Sequence, residues 1–106
     1  MRKAKIFFKS QFAGMLEETG SGFRFTYDSA FVKKGQPISL SLPLRSEPYE
    51  MPLMFPFFEG MVPEGWYKEI VCATKKIDPA DTFGLLLVTG NTAGAVTVST
   101  VSLEGA

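Results

Sequence analysis

Residues 23–28 read FRFTYD, and this stretch decides the fold class. Phe23, Phe25 and Tyr27 fall on one face of an extended chain, and the residues between them are polar. A period of two predicts a strand with one buried face. KAKIFFK and FAGMLEE precede it, set apart by breaks at residues 10–11 and 20–22. The first 28 residues are therefore expected to form an antiparallel meander of three strands.

The middle of the chain is expected to be irregular after one more strand. Residues 29–36 are interpreted as a connector, and ISLSLPL (38–44) alternates like a strand that Pro43 ends. Prolines then follow at positions 48, 52, 56 and 63. This spacing forbids a long helix or strand, but it permits short helical turns that begin on a proline, such as FPFFEG (55–60).

The last third is predicted to hold two helices and a strand. One helix runs from Pro63 to about Thr74, and a second runs over about 79–89 with Asp78 as its N-cap and Gly90 as its C-cap. Residues 95–101 alternate again and predict a final strand. The expected fold class is α+β: a single domain over residues 1–106, with two or three short helices packed on one face of a mostly antiparallel sheet.

Composition excludes several function classes. The 106 residues carry eleven basic and eleven acidic side chains, so the basic excess of a nucleic-acid binder is missing. The locally basic start, with Arg2, Lys3, Lys5 and Lys9, is typical of a solvated strand face. The N-terminus does not look like a secretory signal, and no apolar run is long enough to span a bilayer. A cytoplasmic protein is expected.

Residues for catalysis are scarce. The chain has no histidine and one cysteine, Cys72, within the apolar run EIVCAT, where a small core residue is expected. The glycine-rich TGNTAGA (89–95) follows a helix and precedes a strand, the reverse of a phosphate-binding loop. Glu17, Glu18, Asp78 and Asp81 are interpreted as structural or capping carboxylates, with Asp81 capping the second half of its helix. No enzyme, metal or cofactor is expected.

The stretch MVPEGWYKE (61–69) holds the only tryptophan, Trp66, at the start of a predicted helix. Tyr67, Ile70, Val71 and Thr74 share the apolar face of that helix, and Trp66 lies at its edge. Tryptophan is enriched at the anchor points of interfaces, and a position in the first turn lets it project. It is equally able to cover a small core, so the pattern alone leaves both interpretations open.

Three runs together resemble a known family. SLSLPL, FFEGMVPEG and DTFGLLLVTGNTAGAVTV are similar, in order and spacing, to the N-terminal subdomain of HipA-type serine/threonine kinases, the toxins of bacterial persistence modules. The family's nucleotide loop, catalytic aspartate and magnesium ligands lie beyond this subdomain, so the resemblance carries over no catalytic residue. The chain departs from the family pattern at Trp66 and around Asn91.

As a separate polypeptide, the chain resembles the small third component of tripartite HipBST-type toxin–antitoxin modules. The resemblance implies an antitoxin that binds a HipA-like (HipT-like) kinase toxin in trans and neutralises it, with Trp66 inserted at or near the kinase active site. A helix-turn-helix DNA-binding protein (HipB-like) would be an indirect partner. The expected partner-binding residues are Pro63, Glu64, Gly65, Trp66 and Tyr67. The alternatives are a non-inhibitory assembly or activating subunit that completes the kinase N-terminal lobe, and an independent small enzyme.

Overall fold

The computed structural model describes residues 2–62, 64–89 and 95–100. Its first three strands are β1 (Lys3–Phe8), β2 (Gln11–Thr19) and β3 (Gly22–Tyr27), and they pair antiparallel in chain order. Leu16 lies opposite Ala4 on one side and Phe25 on the other, and all three are completely buried. The predicted meander is confirmed, because the alternating residues line one face as the period of two requires.

Two further strands extend the sheet at its edges. β4 (Tyr49–Met51) pairs with β3, and β5 (Val96–Thr100) pairs with β1, both antiparallel. The strand order is β4-β3-β2-β1-β5. The final strand was predicted from its alternating valines, whereas β4 was not predicted. The α+β fold class with an antiparallel sheet is confirmed.

The helices are α1 (Ser29–Val32), α2 (Pro56–Glu59), α3 (Gly65–Lys75) and α4 (Thr82–Thr89). Three of them contribute aromatic side chains to the core over one face of the sheet, and α2 begins on a proline as predicted. Among the described residues, no helix is long and apolar enough to cross a membrane. The largest fully buried side chains are those of Phe25, Phe58, Phe83, Ile6, Leu16, Leu85, Leu86 and Val98.

The opposite face of the sheet carries a row of charges. Glu17 of β2 lies between Lys3 of β1 and Arg24 of β3, and its carboxylate oxygens are 3.4 Å from Lys3 Nζ and 3.8 Å from Arg24 Nη1. Arg24 Nε lies 3.2 Å from Glu50 Oε2 on β4. Such cross-strand pairs of opposite charge suit a solvated surface. This arrangement places Lys3 on the solvated strand face that the sequence predicted.

The predicted strand in ISLSLPL is wrong. Residues 39–42 form a turn that is closed by Leu42 N–H donating to the Ser39 carbonyl at 3.1 Å. Ile38 and Leu42 are buried on either side of it, while Leu40 points away from the core. The apolar residues of the alternating run therefore do not share one face, and β4 takes the fourth strand position instead.

Two predicted boundaries also change. The connector 29–36 contains the one-turn helix α1, which begins because Asp28 Oδ2 accepts from Ala30 N–H at 3.2 Å. The last helix begins at Thr82, not at residue 79, because Asp81 is its cap: Asp81 Oδ1 accepts from Gly84 N–H at 3.0 Å. Asp78 instead closes a separate turn by accepting from Ala80 N–H. The predicted cap Gly90 and most of the 89–95 loop lie outside the described residues.

Candidate functional site

Helix α3 presents its apolar face to solvent. Trp66 is 72% exposed, Tyr67 53% and Ile70 47%, although these are the positions that helical periodicity marks as apolar. The buried residue of this helix is Cys72, as expected for a small apolar side chain. An exposed row of large apolar side chains on one helix is typical of a surface that another molecule covers.

Helix α4 is buried where α3 is exposed. Phe83, Leu85 and Leu86 of α4 are essentially buried, and α4 follows α3 after a connection of residues 76–81. The two helices share a shallow groove of about 210 Å³. Tyr67 and Ile70 of α3 line it together with Val88 of α4. Helix α4 thus supplies most of the buried side chains of these two helices, and α3 contributes Cys72.

The start of α3 is built to project Trp66. Gly65, its first residue, has a φ of 66°, a left-handed conformation that glycine adopts without strain. A Cβ there would meet no atom within 4 Å, so the backbone conformation, not space, favours glycine. Glu64, Gly65, Trp66 and Tyr67 are all exposed, which brings four of the five predicted partner-binding residues into one surface segment. The fifth, Pro63, lies outside the described residues.

A charged groove adjoins this segment. It has a volume of about 460 Å³ and separates α2 from the first turns of α3 and α4. Glu59 and Glu64 contribute carboxylates and Lys68 an ammonium group to its wall. These groups can recognise polar atoms of a partner, but they include no nucleophile and base in contact. Within the described residues, no cluster of histidine, cysteine, aspartate or glutamate could hold a metal ion.

Arg2 does not join the lysines on the solvated strand face, as the sequence predicted, but forms the centre of a polar clamp. Arg2 Nε and Nη2 each donate to Glu18 at 2.8 Å, and Nη1 and Nη2 donate to Asp81 at 2.9 and 2.7 Å. The guanidinium also lies 5.2 Å from the centre of the Phe83 ring. This double bidentate arrangement ties the start of β1 and the end of β2 to the N-terminus of α4.

Electrostatics of the clamp follow from these hydrogen bonds. Donation from Arg2 holds the pKa values of Glu18 and Asp81 below their usual range, and the two carboxylates raise the pKa of Arg2.

One signal in the sequence could have revealed half of the clamp. Glu18 lies two positions after the buried Leu16 on β2, so both side chains are on the helix-covered face of the sheet. A carboxylate on that face needs a hydrogen-bonding partner.

Comparison with known proteins places this geometry in a family. The family described as the HipA N-terminal domain matches residues 4–99. The chain belongs to the HipA N-terminal domain family. A solved structure titled "N-terminal domain of HipA toxin" superimposes with a TM-score of 0.76 at 33% identity, covering 96% of this chain and 94% of that one. The HipA-type resemblance and the fold expected from it are confirmed.

Relatives of this HipA N-terminal domain occur in two sizes. An uncharacterized protein of Haemophilus influenzae is 38% identical over 99 residues, which is 92% of both chains. A protein of Sinorhizobium fredii named "Putative kinase Y4mE" is 29% identical over 100 residues, but these cover only 24% of that protein. The chain therefore resembles a protein of its own length and also a small part of a protein that is named as a kinase.

Proposed function

We propose that this HipA N-terminal domain is an antitoxin that binds a HipA-like serine/threonine kinase in trans and neutralises it. The observation that carries the proposal is Trp66, 72% exposed in the first turn of α3, with Tyr67 and Ile70 exposed beside it. Trp66 inserts at or near the kinase active site and blocks closure or substrate access. The protein does so without chemistry or a cofactor of its own.

One further observation supports a free-standing inhibitor. The Haemophilus influenzae relative is aligned over 92% of its length, so a domain of this kind occurs there without the remainder of a kinase. A domain of the type found within longer kinase-like chains keeps a surface suited to a kinase partner. Contacts with operator DNA belong to a helix-turn-helix protein as an indirect partner, because eleven basic and eleven acidic residues leave this chain without a net positive charge for phosphate binding.

A second candidate function is assembly of the kinase without inhibition. The Sinorhizobium fredii protein favours it, because a matching segment of about a hundred residues forms part of that single longer chain. In this alternative the domain completes the kinase N-terminal lobe and restores its activity. Growth of cells that express both proteins separates the two functions, since an antitoxin rescues growth and an activator does not.

The test is co-purification of tagged chain with the HipA-like kinase encoded beside it, with growth scored in the same cells. Wild type should capture the kinase and restore growth, and Trp66→Ala should lose both, because a buried tryptophan anchor contributes about 2–4 kcal/mol. Leu53→Ala is the matched control: Leu53 is 74% exposed, like Trp66, but it lies outside α3 and outside the groove that α3 shares with α4. It should bind and rescue like wild type.

Each result has a distinct meaning. Failure of the wild type to capture the kinase would contradict the antitoxin proposal. Capture without rescue would favour the assembly subunit. Capture and rescue that survive Trp66→Ala would remove Trp66 from the mechanism and leave the binding surface elsewhere on the domain.

A further inference from the structure

Leu40 is the most exposed of the large apolar side chains that the structure describes. It is 95% exposed, more than Trp66, and it lies at the tip of the turn at residues 39–42. Leaving a leucine in water forgoes about 1.5–3 kcal/mol of burial. A side chain in this state gains most from a pocket on another molecule.

The turn holds Leu40 in one place. Ser39 Oγ accepts from Ser41 N–H at 3.2 Å and lies 2.9 Å from Ser41 Oγ. Leu42 N–H donates to the Ser39 carbonyl, which closes the turn. These bonds fix the backbone on both sides of Leu40, so little conformational freedom is left to lose on binding.

A buried tyrosine anchors both ends of this turn. The Tyr27 hydroxyl accepts from Ile38 N–H at 3.2 Å and donates to the Leu42 carbonyl. Ile38 and Leu42 are themselves 6% and 3% exposed. The leucine between them is thus presented on a rigid base that belongs to the core, which distinguishes it from an apolar residue on a loose loop.

Two lysines lie at the same end of the molecule. Lys33 and Lys34 directly follow α1, and Phe31 of α1 stacks on Tyr27 with ring centres 5.9 Å apart. Both lysines are exposed, and neither forms an ion pair within the described residues. A partner surface that receives Leu40 is therefore complementary if its apolar pocket has an acidic rim.

Leu40 and Trp66 belong to different ends of the sheet. The Leu40 turn is attached to Tyr27, at the end of β3. Phe23, near the start of β3, lines a groove with Pro56 and Glu59 of α2. Pro56 and Glu59 also line the groove at the start of α3. Phe23 and Tyr27 lie four residues apart on β3, which is about 13 Å along a strand. The two side chains can thus act as separate anchors.

We propose that Leu40 is a second anchor for the HipA-like kinase, inserted in an apolar pocket with an acidic rim that is distinct from the site of Trp66. The inference rests on the proposed function, because it names a second contact with the same partner. It makes the domain a two-point ligand: Trp66 contacts the active-site region, and the Leu40 turn grips the kinase elsewhere.

Affinity measurements on purified protein and kinase test the second anchor. Leu40→Ala should weaken binding about tenfold, and Leu40→Met should restore it because its volume and polarity are similar. The matched control is Leu53→Ala, since Leu53 is 74% exposed but lies outside the turn. Its affinity should stay within about twofold of wild type. Equal affinity of Leu40→Ala and wild type, or equal losses in Leu40→Ala and Leu53→Ala, would overturn the proposal.

Two further experiments test whether Leu40 and Trp66 bind independently and whether the rim of the partner's pocket is acidic. Losses from Leu40→Ala and Trp66→Ala should multiply in the double variant, because distant sites contribute additively to the binding free energy. Lys33→Glu with Lys34→Glu should slow association and reduce its salt dependence. Normal association in that charge variant would contradict the acidic rim. If wild type does not bind the kinase at all, the proposed function itself fails; if wild type binds and Leu40→Ala binds equally, only the second anchor fails.

Discussion

Helices α3 and α4 follow each other in the chain and differ in what their apolar residues do. Helix α4 buries Phe83, Gly84, Leu85 and Leu86, whereas α3 buries Cys72 and leaves Trp66, Tyr67 and Ile70 exposed. Both contain enough apolar residues to contribute to a core. The difference shows that α4 contributes its apolar side chains to the core, whereas α3 keeps most of its large apolar side chains at the surface.

The clamp accounts for part of this division. Asp81 caps α4 and accepts two hydrogen bonds from Arg2, so α4 is fixed at the end where it meets β1 and β2. The cap of α3, Glu64, makes no side-chain hydrogen bond to its helix. Gly84 fits closely under the clamp, because a Cβ there would lie 2.3 Å from Asp81 Oδ2.

The largest expected effect on stability belongs to α4. Phe83 is 1% exposed and stacks on Phe23 with ring centres 6.0 Å apart. Phe83→Ala should lower the free energy of unfolding by about 3–5 kcal/mol, because it removes burial and leaves a cavity. Urea denaturation measures this change. A loss below about 1 kcal/mol would mean that α4 is not the structural helix of the pair.

The clamp should have an intermediate effect. Arg2→Met should lower the free energy of unfolding by about 1–2 kcal/mol, since it removes charge-assisted hydrogen bonds at a partly exposed site. Arg24→Met is the matched control, because both arginine side chains are 41% exposed while Arg24 makes one hydrogen bond, to Glu50. Its effect should be at most about 0.5 kcal/mol. Equal losses in the two variants would contradict a special role of the clamp.

The clamp also predicts a pH dependence. Arg2 depresses the pKa values of Glu18 and Asp81 in the folded state, so their stabilisation is fully present above the unfolded-state values. It is lost as the pH falls below the usual pKa of 4.5 for glutamate and 3.8 for aspartate, towards the lower folded values. The stability difference between wild type and Arg2→Met should therefore shrink in acid. A stability difference between the two proteins that stays constant from neutral pH into acid would contradict this explanation of the clamp.

The smallest effect on stability should come from α3. Trp66→Ala should change the free energy of unfolding by no more than about 0.5 kcal/mol, because Trp66 is 72% exposed, and Ile70→Ala should cost about 1 kcal/mol at most, because Ile70 is 47% exposed. Thermal and urea unfolding of the two variants test this expectation. If Trp66→Ala lowered the free energy of unfolding by several kcal/mol, the Trp66 side chain would be part of the core, and α3 would not differ from α4 in this respect.

Local patterns predicted the meander and the last strand, but not the path between β3 and α2. The alternation in ISLSLPL matches a strand, and only the tertiary contact of Tyr27 with both Ile38 and Leu42 reveals a turn. The three-residue strand Tyr49–Met51 is shorter than any periodic signal and is hidden between prolines. Its existence depends on pairing with β3, which no local window contains.

The exposure of Trp66 could not be derived from the sequence for a similar reason. An apolar helical face predicts a neighbour but does not say whether that neighbour is the protein's own core. Arg2 and Asp81 lie 79 positions apart, so their contact has no local signature. What the sequence does reveal is chemical: with no histidine and only one cysteine, the chain offers few of the side chains that catalysis most often uses.

The bracketing of β4 by prolines has a consequence for self-association. β4 is the outer strand of the sheet on that side, and an outer strand offers free backbone groups that can template the addition of another strand. Pro48 and Pro52 flank its three residues and lack the N–H groups that such growth requires. Copies of the domain are thus discouraged from stacking into continuous sheets at this edge, even while each displays bare leucine and tryptophan side chains.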